Sequence, residues 1–347
     1  MSTKNYLFLL SLITIILLSL ALFILSRPLQ IKETIFEVNE GIPFNQIVKN
    51  LNDQKIISYP NLIKIYAIIS GKAKYIKTGE YKILPKNNSF SLINKLVQGD
   101  IYYRQVRIKE GATFHEVLQT LKLEENLIDN LDNSQVNLIS QLSLKRNSLE
   151  GLFSPDTYFY KKGDTYIDIL KRAHNSQQKL LDKLWKERRL DLPYRAPYEA
   201  LILASIIEKE GIEKKDISGV FIRRLKKNMK LQSDPTVIFA LGAEFDGNIK
   251  RKHLFMTHPY NTYMNKGLPP GPIGLVSKSS LKAAFDPKDG TSLYFVAKGD
   301  GTHFFSDSFK EHQEAVKKYQ LNLLPPYHIC IEHIFLQNIH MIHSITM

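Results

Sequence analysis

The sequence predicts an α+β protein tethered by one N-terminal transmembrane helix, and three observations carry that expectation. Residues 6–26 form an uncharged apolar run. Between residues 36 and 121 a short strand, turn and helix pattern recurs. From residue 148 onward the chain becomes dense with short motifs around a helical, charged segment at 166–189, as in a mixed α/β body.

Composition sets the frame. The chain has 347 residues, 44% of them apolar and 23% charged, which suits two or three packed units rather than disorder. Its one cysteine, Cys330, excludes an internal disulfide, and no Cys/His spacing matches a zinc-ligand set. Neither a metal nor another cofactor is expected. The net charge of +13 is scattered among acids along the whole length, with no nucleic-acid motif beside it. Nucleic acid is therefore not an expected partner, whereas an anionic polymer or lipid headgroups would suit such a surface. The basic runs Lys186-Glu187-Arg188-Arg189 and Arg223-Arg224-Leu225-Lys226-Lys227 read as solvated helix faces.

The apolar run at 6–26 has the roughly 20 residues needed to cross the hydrocarbon core of a bilayer. Ser19-Leu20-Ala21 is a poor cleavage site and lies inside the run, so an uncleaved anchor is expected rather than a removed signal peptide. Lys4 precedes the span while Arg27 and Lys32 follow it, so flanking charge barely orients it. A short cytoplasmic tail at 1–5, one span and a large body fit a signal anchor that exports the body. A cytoplasmic body is the alternative.

The region 36–122 repeats itself. Val38, Gly41, Phe44, Ile47 and Leu51 recur as Ile108, Gly111, Phe114, Val117 and Leu121, and more weakly as Leu84, Asn87, Phe90, Ile93 and Val97. The Gly, Asn, Gly series at the second position suits a turn with positive φ. Each copy reads as a strand end, a tight turn and a short amphipathic helix, with a further apolar helix and strand between the first two. This order is similar to that of LysM modules, which implies glycan binding. A generic βα unit that only spaces the body from the membrane fits the pattern equally well. Residues 123–147, rich in Asn, Asp, Ser and Gln, read as a linker to a body at 148–322.

Within the body, Leu203-Ala204-Ser205-Ile206-Ile207-Glu208-Lys209-Glu210-Gly211 sets carboxylates at the end of an apolar helical segment. Glu210 shares a stripe with Ile207, Ile206 and Leu203, and a carboxyl against apolar side chains tends to hold its proton near neutral pH. Glu208 lies about 200° around the helix, over Ala204, Ser205 and Leu201, so the two acids do not share one cleft. Glu210 is the candidate general acid and Glu208 the runner-up. By pattern alone both also fit solvated carboxylates in a last helical turn.

Other short motifs follow in a fixed order. Leu149-Glu150-Gly151-Leu152-Phe153-Ser154-Pro155-Asp156-Thr157-Tyr158 opens the body, and Met229-Lys230-Leu231-Gln232-Ser233-Asp234-Pro235-Thr236-Val237 follows the acid segment. Gly219-Val220-Phe221-Ile222-Arg223-Arg224-Leu225 lies between these two, and Tyr260-Asn261-Thr262-Tyr263, Gly267-Leu268-Pro269-Pro270-Gly271, Leu281-Lys282-Ala283-Ala284, Tyr294-Phe295-Val296 and Gly301-Thr302-His303-Phe304 complete the series, ahead of His312. This order and wording closely resemble the MltG, or YceG-like, family of endolytic murein transglycosylases, over about residues 36–319.

The resemblance implies a single-pass enzyme of the inner membrane, with its body on the periplasmic, cell-wall side and a LysM-like region before the catalytic domain. It implies peptidoglycan glycan strands as substrate and cell-wall synthases, the penicillin-binding proteins, as possible neighbours. By position in the family's Glu-Lys-Glu motif the catalytic acid falls on Glu210. Gln232, Asp234, Asn261, Thr262 and Tyr263 occupy matching positions and are substrate-binding candidates. Asp234 also fits a helix N-cap with Pro235 at the first helical position. The proline-rich loop at 267–271 is a candidate cleft wall, and His303 and His312 read as buried hydrogen-bonding residues or, less simply, as catalytic ones.

One carboxylate suffices for such an enzyme. A water-using glycosidase needs two acids across the bond, whereas the C6 hydroxyl of muramic acid can attack its own anomeric carbon. The alternatives are an inactive peptidoglycan-binding scaffold and a water-using muramidase with Glu208 or Asp234 as base. The chain departs from the family at 211–219, where the loop is short, and at 323–347, an apolar His-containing tail in which His328, His333, His340 and His343 show no recognised ligand spacing.

Overall fold

Residues 3–26 contain neither Gly nor Pro to interrupt a helix, and Pro28 follows at once. They form α1, Thr3–Ser26, apolar and long enough to cross a membrane. The computed structural model describes residues 3–131, 135–142 and 148–321. The expected tail at 323–347, with Cys330 and its four histidines, lies outside the described residues.

After α1 the chain runs β1 (Thr34–Val38), α2 (Phe44–Asp53), α3 (Pro60–Ile69), β2 (Gly79–Ile83), α4 (Ser89–Gln98), β3 (Arg104–Arg107), α5 (Phe114–Lys122) and α6 (Gln135–Gln141). Next come β4 (Thr157–Tyr160), α7 (Tyr166–Lys186), α8 (Pro197–Glu210), α9 (Lys214–Lys226), α10 (Asp234–Leu241), α11 (Arg251–Leu254), α12 (Lys278–Phe285), β5 (Tyr294–Ala297), β6 (His303–Ser306) and α13 (Phe309–Val316). Among the described residues, β1 pairs with β2, β3 with β4 and β5 with β6, each pair a two-stranded sheet. The architecture is thus mixed α/β, with helices carrying most of the body.

Contacts divide the chain into two units. The first comprises residues up to 105 together with Glu125–Ile128 and Phe159–Asp164, and the second takes the remainder. In the first unit β1 and β2 are antiparallel, with Phe36 opposite Tyr81. Strand periodicity turns Phe36, Val38, Tyr81 and Ile83 inward, where they meet Ile47, Val48 and Leu51 of α2, Ile63 and Ala67 of α3, and Leu92, Ile93 and Leu96 of α4. Helix α4 is fixed at its start by a reciprocal Asn88/Ser91 capping box and at its end by left-handed Gly99.

All three copies of the repeat form the strand end, turn and helix that their spacing predicts, and the third, at 108–121, belongs to the second unit. Gly41 and Gly111 take the left-handed conformation, with φ of 76° and 70°. Asn87 does not. Its backbone N–H donates to the Leu84 carbonyl at 2.9 Å and its side-chain oxygen accepts the Leu84 N–H at 2.8 Å, so this turn is closed by backbone and side chain together without positive φ. The region read as a linker carries α6, where Leu138 and Leu142 are buried; residues 132–134 and 143–147 within it lie outside the described residues.

The second unit is organised around α8. Every residue from Ala200 to Ile207 is buried, which is why the segment reads as continuously apolar rather than amphipathic. Helices α7, α9, α10 and α12 surround it. The Ser205 hydroxyl donates to the Ile202 carbonyl at 2.7 Å and accepts the Ile273 N–H at 3.0 Å, which ties the helix to the segment after the proline-rich loop. That segment, 271–277, is buried packing. The ring of Pro272 fills the space beside Gly151.

Gly151 has φ +74°, and a Cβ there would collide with that ring. Gly151→Ala is therefore expected to lower stability by about 2–4 kcal/mol, combining left-handed strain with a rigid overlap. Denaturant melts of the two proteins check it.

Candidate active site

Glu210 is the last residue of α8, and its carboxyl looks into a cavity of about 410 Å³, within the usual range for ligand pockets. Arg224, Gln232, Asp234, Tyr263, Tyr294, His303 and His312 also line it. The apolar stripe beneath, Leu203, Ile206 and Ile207, is fully buried. Burial pushes the Glu210 carboxyl up to about 7, and the neighbouring Asp234 adds to the rise; the Ser233 hydroxyl, which donates to the carboxylate, and the Arg224 charge oppose it.

Glu208 leaves the helix on another side, as its angular offset requires. Its carboxylate accepts from Lys214 Nζ at 2.7 Å, from the Ser277 N–H at 2.9 Å and from the Ser277 hydroxyl at 2.5 Å. Burial alone would raise its pKa, but these three donors outweigh it and hold the group below the ordinary carboxylate range. Glu208 is an ionised carboxylate whose acceptor sites are taken by structure.

The remaining candidates separate into two groups. Gln232, Asp234 and Tyr263 border the cavity. Gln232 holds φ 51° and accepts from Arg224 at 3.3 Å. Tyr263 donates its hydroxyl to Asp234 at 2.5 Å; burial drives the tyrosine well above its usual 10, and desolvation also raises Asp234, against the Tyr263 hydrogen bond. Asn261 and Thr262 must be withdrawn as binding residues, because both are buried and spent on the scaffold. The Asn261 amide donates to the carbonyls of His253, Leu254 and Met256 and accepts the Tyr263 N–H at 2.9 Å. The Thr262 hydroxyl accepts the Ser233 N–H and pairs with the Thr236 hydroxyl, both at 2.9 Å.

Two further expectations change. The cap of α10 is Ser233, not Asp234, which is the first helical residue. Ser233 makes no side-chain cap; its hydroxyl is turned to Glu210 instead. Nor is the run from Arg223 to Lys227 a solvated face throughout, since Arg224 is buried. Its guanidinium donates to the carbonyls of Leu293 at 2.6 Å and Leu231 at 2.8 Å, and it lies over the Tyr294 ring. Ser233, Arg224 and Tyr294 are the site residues that sequence reasoning missed. Each stood in a quoted stretch, Arg224 in the basic run, Ser233 between Gln232 and Asp234, and Tyr294 in Tyr294-Phe295-Val296, but none was given a role in the site.

His303 is oriented by Glu213, which accepts its backbone N–H at 2.7 Å and faces Nδ1 at 2.8 Å. The ring lies against Gly211, immediately after Glu210, where a Cβ would come within 2.6 Å of it. His312 stacks on Tyr294, and its buried Nδ1 has no partner among the described residues. Burial, helped by Arg224, lowers it to about 4, so it is neutral at physiological pH. Among the described residues no cluster of three or more His, Cys, Asp or Glu side chains could hold a metal ion.

The arrangement offers a proton donor near pH 7, a buried cation, and tyrosine, amide and carboxylate groups along one wall. Comparison with known proteins adds the family. A sequence model of the YceG-like family matches residues 36–318. An endolytic murein transglycosylase of Bacillus subtilis is 31% identical over 319 residues, covering 83% of this chain and 86% of the relative. One from Streptococcus pneumoniae is 26% identical over 328 residues, covering 81% of this chain and 58% of the relative. The crystal structure of a YceG-like protein from Listeria monocytogenes superimposes with a TM-score of 0.50 at 29% identity, covering 82% of this chain and 99% of that one.

Proposed function

Because the chain belongs to the YceG-like family, we propose that it is a membrane-anchored endolytic lytic transglycosylase of peptidoglycan, with Glu210 as its single acid and base. The observation that carries this reading is the raised pKa of Glu210 in a ligand-sized cavity. At pH 7 a carboxyl titrating at about 7 is half protonated, whereas one at its ordinary 4.5 would be so in about one molecule in 300.

The reaction cleaves the bond from C1 of N-acetylmuramic acid to O4 of N-acetylglucosamine. Glu210 gives its proton to the glycosidic oxygen, which departs with the bonding pair. The muramic C6 hydroxyl attacks C1 and loses its proton to the Glu210 carboxylate, closing a 1,6-anhydro ring and restoring the acid. No water enters, and intramolecular attack carries a high effective molarity. Gln232, Asp234 and Tyr263 are the proposed contacts to sugar hydroxyl and acetamido groups. The strand, helix, helix, strand order at 34–83 supports the LysM-like reading of the first unit and its binding of glycan. α1 supports a single-pass anchor in the inner membrane, with the body on the periplasmic side beside wall synthases.

A second reading, a water-using muramidase, is favoured by one observation: Asp234 lines the same cavity as Glu210. Mass spectrometry of products released from purified peptidoglycan separates the readings. Anhydromuramic ends are expected, abolished by Glu210→Gln. Reducing ends would establish the muramidase, and no release by either protein would favour a scaffold. Protease protection of the body in spheroplasts would overturn its placement outside.

The pH profile tests the acid more closely. Activity should be flat below about pH 7 and fall tenfold per unit above it, as the required proton is lost. Ser233→Ala removes a donor that favours the ionised form, so the Glu210 pKa should rise further and the falling limb move about one unit upward. A profile of kcat/KM against pH for both proteins checks the direction.

A further inference from the structure

Helix α3 buries one face and leaves the other apolar. Ile63 and Ala67 belong to the core of the first unit, while Ile65, Ile68 and Ile69, on the opposite side, are 55%, 61% and 82% exposed. Single exposed apolar residues are ordinary, but three sharing one helical face are not. Tyr59 and Tyr75, at either end of the segment, are also exposed. Residues 60–78 contain Lys64, Lys72, Lys74 and Lys77 and no acid. An apolar face, flanking tyrosines and nearby lysines without acids are together the composition of an element lying in a bilayer interface.

The position of α1 says which surface covers this face. Along α1 the side chains are bare except in the last turns, where Ala21 and Ile24 are half-buried and Leu25 joins the core cluster that holds Ile63 and Ala67. α1 contacts both α3 and α4. Its exit is fastened as well: the Asn88 amide donates to the Ser26 carbonyl at 3.2 Å, and the Leu29 N–H donates to the Asn87 carbonyl at 2.7 Å. Twenty-four helical residues span about 36 Å against a hydrocarbon core of about 30 Å. The last turn of such a helix therefore emerges at headgroup depth, and what packs on it lies at the same depth.

Resting on the reading of α1 as a membrane span, we propose that the outer face of α3, Ile65, Ile68 and Ile69, is seated in the headgroup–acyl boundary of the bilayer that α1 crosses. Tyr59 and Tyr75 then stand at headgroup level, and the lysines meet anionic lipid. The first unit is held on the membrane by two elements rather than swinging from one.

The test uses the full chain with Cys330→Ser, reconstituted in vesicles of phosphatidylethanolamine and phosphatidylglycerol. A polarity-sensitive fluorophore is attached at Ile69→Cys, at Leu12→Cys inside α1, and at Leu190→Cys, a site 88% exposed in the second unit. Emission from position 69 is expected to be blue-shifted and quenched by shallow spin-labelled lipid at least twofold more than from position 190. If position 12 is quenched while 69 behaves like 190, the anchor stands and the proposal falls. If position 12 is not quenched, the anchor reading fails and takes the proposal with it. A blue shift at 69 without lipid quenching would assign the face to a protein contact and also overturn it.

Discussion

Glu210→Gln is expected to reduce turnover on peptidoglycan by about a thousandfold or more while leaving the folded protein at least as stable as the parent. The first part follows from removing the only group that gives and takes the proton, an effect of general acid–base chemistry typically worth 10²–10⁴. The second follows from linkage. The folded pKa of Glu210, about 7, stands above its ordinary 4.5, so ionisation is disfavoured in the fold. Below pH 4.5 the group is neutral both folded and unfolded and costs nothing; the penalty grows between pH 4.5 and 7 and is complete above 7. Glutamine is neutral throughout and can still accept the Ser233 hydroxyl. Allowing for partial exposure, the variant should gain on the order of 1–3 kcal/mol at pH 8 and nothing at pH 4. Thermal melts at the two pH values, beside product assays, would show it. A variant that is inactive and also less stable at pH 8 would mean that Glu210 was serving the fold.

That opposition between activity and stability is also why α8 was legible. A buried helix needs no charge at its end, so a carboxyl there stands out from the sequence alone. Less could be read where one residue type serves two purposes. Asn261 and Thr262 have the polar groups that sugars need, but buried loop carbonyls and N–H groups need them too, and only the fold shows which claim is met. Ser233 sits where a serine ordinarily caps a helix, and its turn toward Glu210 depends on a side chain 23 residues away in sequence. Arg224 lies in a run of basic residues that looks solvated until the carbonyls of Leu231 and Leu293 are brought around it. The repeated βα pattern was readable because its apolar positions are the core positions, with Ile47, Leu51, Ile93, Val117 and Leu121 all buried. Its turn at Asn87 was not, because reciprocal bonds between Leu84 and the backbone and side chain of Asn87 close that turn without positive φ.

Glu208→Ala should have the opposite signature. The Glu208 side chain is 7% exposed, and its removal leaves Lys214, only 18% exposed, without its carboxylate and Ser277 without an acceptor for its N–H. Breaking a buried ion pair from one side typically costs about 3–5 kcal/mol, because the surviving charge stays desolvated. The pH dependence again fixes the sign. The folded pKa of Glu208 lies below its ordinary 4.5, so its contribution is present above that value and is lost as pH falls through the folded pKa. Parent and variant should therefore differ most in stability at neutral pH and converge in acid. Turnover per folded molecule should stay within about threefold of the parent, since Glu208 does not border the cavity. Glu208→Gln supplies the control, as an amide keeps an acceptor for Ser277 while Lys214 loses its anionic partner but keeps its bond to the Ser277 hydroxyl, and its loss should be smaller. Were Glu208 the acid instead, both variants would lose turnover in proportion to chemistry rather than to unfolding. The ratio of activity to folded fraction, measured across Glu208 and Glu210 variants together, assigns one carboxylate to the fold and the other to the reaction.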